Sequence, residues 1–148
     1  MANSAILFNS APRLYNLTVM VDAYLLPKTV VTAKGDGAPV EIGAAEHRVF
    51  LLTLNITRIV EQESLDVSVW GSTDGQAWGD KPLLTFPQKF YCGEHPLLLD
   101  LAGRPEVRFL RAHWEVNRWG RGSETPMFEC QVQVREVPRQ MLEEAKAG

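Results

Sequence analysis

Long apolar runs are missing from this chain. None approaches the ~18 residues of a membrane-spanning helix, so no membrane partner is expected. The opening stretch, MANSAILFNSAPR, lacks a basic leader and an extended apolar core. No signal peptide is read there, and synthesis and residence in a cytoplasm are expected. A basic excess is also missing: 15 Lys and Arg stand against 18 Asp and Glu, for a net charge of −3. A phosphate-binding surface calls for the opposite balance, so nucleic acid is not an expected partner.

Residues that carry chemistry are sparse. The two cysteines, Cys92 and Cys130, lack the close spacing of a zinc knuckle or a redox pair. They are either buried or half-buried thiols or a disulfide between neighbouring strands, which needs Cα atoms within ~7 Å. Three histidines are present. His47 and His95 each follow a Glu and read as solvated loop residues, and His113 reads as lying on the polar side of a strand. HxH and HExxH spacings are absent, so neither a metal nor another cofactor is expected. There is no nucleophile elbow and no phosphate-cradling glycine loop. Asp22, Asp66, Asp74, Asp80 and Asp100 are scattered, and nothing selects an acid–base pair among them. The expected protein is not an enzyme.

What is present is a period of two. With 45% hydrophobic and 22% charged residues, a chain of 148 residues has the makings of one folded domain. In the stretch Leu65–Trp78, Leu65, Val67 and Val69 alternate with Asp66, Ser68 and Trp70, which places one set on a buried face. Gly71 to Gly75 then supplies the densest turn signal in the chain, after which Trp78 is expected to fold back over the next strand. Arg48 to Val60 is the longest strand candidate, with Phe50, Leu52, Leu54, Ile56 and Val60 in one phase. Phe128, Cys130, Val132 and Val134 define a half-buried final strand.

Other strands are read at 14–26 (stopped by Pro27), 28–33, 83–86, 96–101 and 107–119, with extended pieces at 39–42 and 89–92. The tract Lys34-Gly35-Asp36-Gly37 reads as a hairpin turn. Within 107–119 the apolar positions change phase between Phe109 and Leu110, as a β-bulge would require. Pro138 closes the sheet, and 139–147 uses good helix formers. About eight strands and no internal helical pattern point to an all-β protein: an antiparallel, jelly-roll-like β-sandwich over 14–137. A short N-terminal arm covers 1–13, and a tail with helix-forming residues covers 138–148.

The run LTLNITRIVEQESLDVSVWGSTDGQAW (52–78), Phe86, the segment Phe109-Leu110-Arg111-Ala112-His113-Trp114 and the strand 128–134 resemble a loose group of small β-sandwich proteins. The group includes phage head-decoration, minor capsid and tail-associated proteins, and discoidin or galactose-binding-like modules. These motifs carry a fold more than an activity. The resemblance implies a non-enzymatic structural protein that docks on a larger particle, a capsid or tail component residing in the virion. Its partners would be proteins in a homo-oligomer or a larger shell. Ile6, Leu7 and Phe8 in the arm are the candidate anchors. The alternative is a carbohydrate-binding module with a glycan as ligand. Its candidate contacts are Asn117, Arg118, Trp119 and Arg121, an aromatic flanked by guanidiniums at a strand end. Trp70, Trp78 and Trp114 are expected in the core or at its edge.

Overall fold

Phe50, Leu52, Leu54 and Ile56 recur at every second residue, and the strand that carries them lies at the centre of the fold. The computed structural model describes residues 20–43, 45, 47–59, 63–89, 91–118, 127–138 and 141. Among these, nine strands form two antiparallel sheets. The central strand, β4 (Val49–Ile59), pairs with β9 (Phe128–Glu136) on one side and with β7 (Gly93–Asp100) on the other. The outer edge of β9 takes β1 (Asp22–Val31), giving the order β1-β9-β4-β7. In the second sheet β5 (Glu63–Ser72) pairs with β8 (Phe109–Arg118). The short β6 (Leu84–Thr85) lies against β5, while β2 (Gly35–Asp36) and β3 (Val40–Glu41) lie against β8. Neighbours that are distant in sequence are what a jelly roll produces, so the all-β sandwich read from the sequence is the fold.

The core is the meeting of the two inner rows. Phe50, Leu52, Leu54, Phe128, Val132 and Val134 face Leu65, Val67, Val69, Leu110 and Ala112. All of these side chains are buried, and they form one cluster. Its ends are held by polar side chains. Glu136 is buried, and its two carboxylate oxygens accept the Val21 and His47 amides at 3.0 Å each. Arg48 sits at φ +57°, unusual for a residue with a side chain. Its guanidinium donates to the carbonyls of Gly43 (3.2 Å), Arg104 (2.6 Å) and Val107 (2.9 Å), joining two loops at one end of the sandwich.

Several local expectations need correction. Pro27 does not stop a strand, and 28–33 is not a separate one. A single β1 runs through Pro27, with register shifts on both sides of Leu26. It can do so because β1 is an edge, where a missing N–H is tolerated. Positions 14–19 of the expected first strand lie outside the described residues. The glycines of 34–37 do not serve a turn, since Gly35 begins β2. They are needed for close approach: a Cβ at Gly37 would collide with the Leu25 carbonyl oxygen, and one at Gly35 would lie 2.8 Å from the Trp114 ring. There is no bulge in β8. It pairs with β5 without a slip, and Phe109 points to the outer face, beneath the turn at Gly75. His95 is not a loop residue. It lies in β7 with its Nε2 buried, and its pKa is lowered by that burial and by nearby Lys89. The arm (1–13) and the tail beyond Pro138, except Met141, lie outside the described residues.

The cysteines are both free, Cys92 exposed and Cys130 buried. Ile56 of β4 pairs with Gly93 on one side and Cys130 on the other. The two thiols are therefore separated by two strand spacings, about 10 Å in all, too far for a bridge. Burial pushes the Cys130 thiol up to about 12.

Leu54→Ala should lower stability by about 2–5 kcal/mol in urea unfolding, since it empties a buried site. Leu98→Ala, at a position 54% exposed on the outer face, should change stability by no more than ~0.5 kcal/mol. Under native conditions a thiol reagent should titrate one equivalent, at Cys92, with the second appearing only after denaturation.

Candidate functional site

The β5–β8 ladder decides where the chemistry of this chain collects. It holds ten residue pairs in one register, from Glu63 opposite Arg118 to Ser72 opposite Phe109. With Leu65, Val67 and Val69 facing inward, the outward row of β5 must be Asp66, Ser68 and Trp70. The register sets these opposite Glu115, His113 and Arg111 of β8. Three rows of polar and aromatic side chains therefore lie on the outer face, about 7 Å apart along the strands.

The side chains interlock. Trp70 Nε1 donates to Ser68 Oγ at 2.9 Å, and the Trp70 ring meets His113 edge-on with centroids 6.4 Å apart. His113 Nδ1 is 2.8 Å from Asp36 Oδ1, and its Nε2 is 3.1 Å from Glu115 Oε2. Asp36 reaches the row from β2, at the side of β8 away from β5. Arg111 lies over the Trp78 ring, with its guanidinium carbon 4.5 Å from the centroid and its Nε 3.7 Å from Asp36 Oδ1. Asp66 Oδ2 accepts from Gln88 Nε2 at 3.2 Å and from Asn117 Nδ2 at 2.7 Å.

Trp78 is delivered by the turn that the sequence marks so strongly. Asp74 Oδ1 accepts the amides of Gln76 (2.8 Å) and Ala77 (3.0 Å) and the Ser72 hydroxyl (3.0 Å). Ser72 Oγ in turn accepts the amides of Asp74 and Gly75. Gly75 takes φ +79°, a conformation open to glycine. The chain thus folds back over Phe109, and Trp78 lands on Arg111 of β8 rather than on β6.

Two cavities open on this face. One, about 340 Å³, is lined by Asp36, Trp70, Trp78, Gly79, Arg111 and His113. The other, about 310 Å³, includes Asp66, Ser68, Trp70, Pro82, His113 and Glu115. Trp70 and His113 line both, so the two make one groove running along the strands. A further cavity, about 430 Å³, is bounded by the 71–83 segment and by Arg104, Glu106 and Val107. Of its charged lining residues, Arg104 and Glu106 pair with each other at 2.7 Å, and Asp80 and Lys81 also border it.

The groove holds a Ser, a His and an Asp, but they are not wired as a nucleophilic triad. His113 spends its second nitrogen on Glu115, and Ser68 Oγ is engaged by Trp70. The two ring nitrogens of His113 address different carboxylates, so they share no point for a cation. Among the described residues no group of three or more His, Cys, Asp or Glu is placed to hold a metal.

Of the contacts expected from the sequence, Asn117 lies on this face and binds Asp66. Arg118 is described only by its backbone pairing with Glu63. Trp119 and Arg121 lie outside the described residues, as do Ile6, Leu7 and Phe8 of the arm. Trp114 faces inward over Gly35, as expected, but Trp70 and Trp78 belong to the outer face and not to the core. Asp36, Asp66, Arg111, His113 and Glu115 were not foreseen as a group. Alternation fixes the face each takes, but only the register brings them together.

No protein-family model matches the chain, and no curated protein matches it in sequence. The resemblance to decoration proteins and discoidin-like modules therefore rests on the turn and strand motifs alone.

The Asp74 carboxyl is held below the ordinary aspartate range, first by the Ala77 amide, then by the Gln76 amide and the Ser72 hydroxyl. A depressed carboxylate supports the folded turn above its unfolded pKa, and that support is lost as pH falls through the folded value. An NMR titration should place the Asp74 midpoint below the ordinary aspartate value. Ser72→Ala should move it part of the way back up.

Proposed function

We propose that this protein is a non-catalytic binding domain whose groove on the outer face of β5 and β8 holds a glycan. The observation that carries this reading is the position of Trp70, at the junction of two cavities and beside hydrogen-bonding groups on both strands. A sugar ring has an apolar face of C–H bonds and a rim of hydroxyls. An indole face suits the first, and convergent carboxylates, amides and imidazole suit the second. Asp66, Asn117, Gln88, His113 and Glu115 supply such groups. They stand on paired strands or are tied to them by hydrogen bonds, which keeps the site formed before a ligand arrives.

The reading of a capsid or tail component, docking on a larger particle, draws on the opposite face. There exposed Leu98 lies across from Leu51 on the outer side of the four-stranded sheet. Leu51 also borders a small cavity of about 110 Å³ with Val137, Pro138 and Met141, and apolar clusters of this size are ordinary on protein surfaces. Pro27 and Pro96 lie on the two edge strands of that sheet, where proline opposes edge-to-edge assembly. The groove therefore has the stronger support.

Affinity electrophoresis through gels containing immobilised polysaccharides tests the proposal. The parent protein should be retarded by at least one glycan, and Trp70→Ala should weaken that binding by about tenfold or more, ~1.4 kcal/mol. Thermal unfolding of the variant serves as the control for folding. Absence of retardation for the parent on a broad glycan panel, or unchanged binding by a folded Trp70→Ala protein, overturns it.

A further inference from the structure

We infer that the groove selects its ligand by charge, taking neutral or amine-bearing glycans and refusing those that carry uronate or sulfate groups. This rests on the glycan reading above and specifies its ligand class. Three carboxylates line the groove: Asp36, Asp66 and Glu115. One permanent cation, Arg111, stands against them, and it is paired with one of them. Its guanidinium lies on the Trp78 face and its Nε is 3.7 Å from Asp36. His113 is enclosed between two of the carboxylates, with a ring nitrogen directed at each. An approaching anion would meet a net negative field, whereas a hydroxyl or an ammonium would meet a complementary one.

The hydrogen-bonding capacity left over has the same sense. Among the described residues, the hydrogen bonds in this cluster use one oxygen of each carboxylate: Oδ1 of Asp36, Oδ2 of Asp66 and Oε2 of Glu115. The second oxygen of each retains acceptor lone pairs, and an ionised carboxylate cannot donate. The groove is thus rich in acceptors and needs a ligand edge made of donors. Sugar hydroxyls and amines provide one. A uronate or sulfate presents acceptors to acceptors. The rows from Arg111 to Asn117 extend about 20 Å along β8, so the selection acts over several sugar rings and not at a single contact.

The test compares three oligosaccharide series of matched length: unsubstituted hexose, glucosamine and hexuronic acid. Each is titrated into the full chain by calorimetry at low and at raised salt. The glucosamine series should bind at least as tightly as the neutral one. The uronate series should bind weaker than the neutral one by about tenfold or more at low salt, with the gap closing as salt screens the carboxylates. The variant Asp66→Asn/Glu115→Gln, which keeps shape and removes two charges, should narrow the uronate-to-neutral ratio. Should that variant not fold, the salt series on the parent protein decides. Uronate binding as tight as neutral binding overturns the charge selection and leaves the glycan reading standing. So does a gap that neither salt nor a folded variant changes. Binding of none of the three series overturns both.

Discussion

The unslipped ladder between β5 and β8 is the constraint on which the rest depends. Ten consecutive pairs in one register allow each side chain of these strands a single face. The inner row, Leu65, Val67, Val69, Leu110 and Ala112, closes the core against β4 and β9. The outer row, Asp66, Ser68, Trp70, Arg111, His113 and Glu115, is placed by the same pairing. Core and groove are therefore two consequences of one arrangement. A slip of one residue would turn one strand over, burying Asp66 and exposing valines if β5 moved, or burying Arg111 and Glu115 if β8 did. The cost of burying unpaired charge keeps the register fixed.

Around that ladder, buried or locally satisfied polar groups do what the apolar core cannot. Hydrophobic burial has no direction, so it cannot by itself choose a loop conformation. Glu136 chooses one by accepting two amides that lie far apart in sequence. Arg48 chooses another by bridging carbonyls in separate loops, and the site takes an unfavourable backbone angle to do it. Asp74 and Ser72 act on a smaller scale, winding the turn that carries Trp78 to the groove. Each device joins segments that the sheets leave loose, and the last of them completes a wall of the site.

How much could be read in advance follows from these causes. The alternations in 49–56, 65–70 and 128–134 were legible because a half-buried strand imposes period two on its sequence. The turn at 71–75 was legible because its residue types have local reasons to be there. Pro27 misled because proline stops an interior strand but not an edge, and edge position is a property of the sheet. The phase change at Phe109 misled because an apolar side chain beneath an overlying turn looks like one in the core. Gly35 and Gly37 suggested a turn, whereas they make room for Trp114 and the Leu25 backbone. The groove was half legible. Outward positions could be listed, but which of them meet is a matter of register between strands about forty residues apart.

The topology also bears on why a face, rather than an edge, holds the candidate site. The outer edge strands of the four-stranded sheet carry Pro27 and Pro96, and β1 adds two register shifts. Such edges are poor templates for another strand. On the five-stranded sheet the edges are short pieces, β2, β3 and β6, two residues each. Short edge strands offer little backbone to a partner, but they raise side walls on the long strands between them. Asp36 comes from one such piece. Pro82 comes from the segment leading into another, and both line the groove. The features that deny a partner strand its template thus turn the middle of the sheet into a bounded channel. On this sheet the proposed recognition falls to the side-chain surface of β5 and β8, whose aromatic residues and surplus of acceptors define the chemistry it can meet.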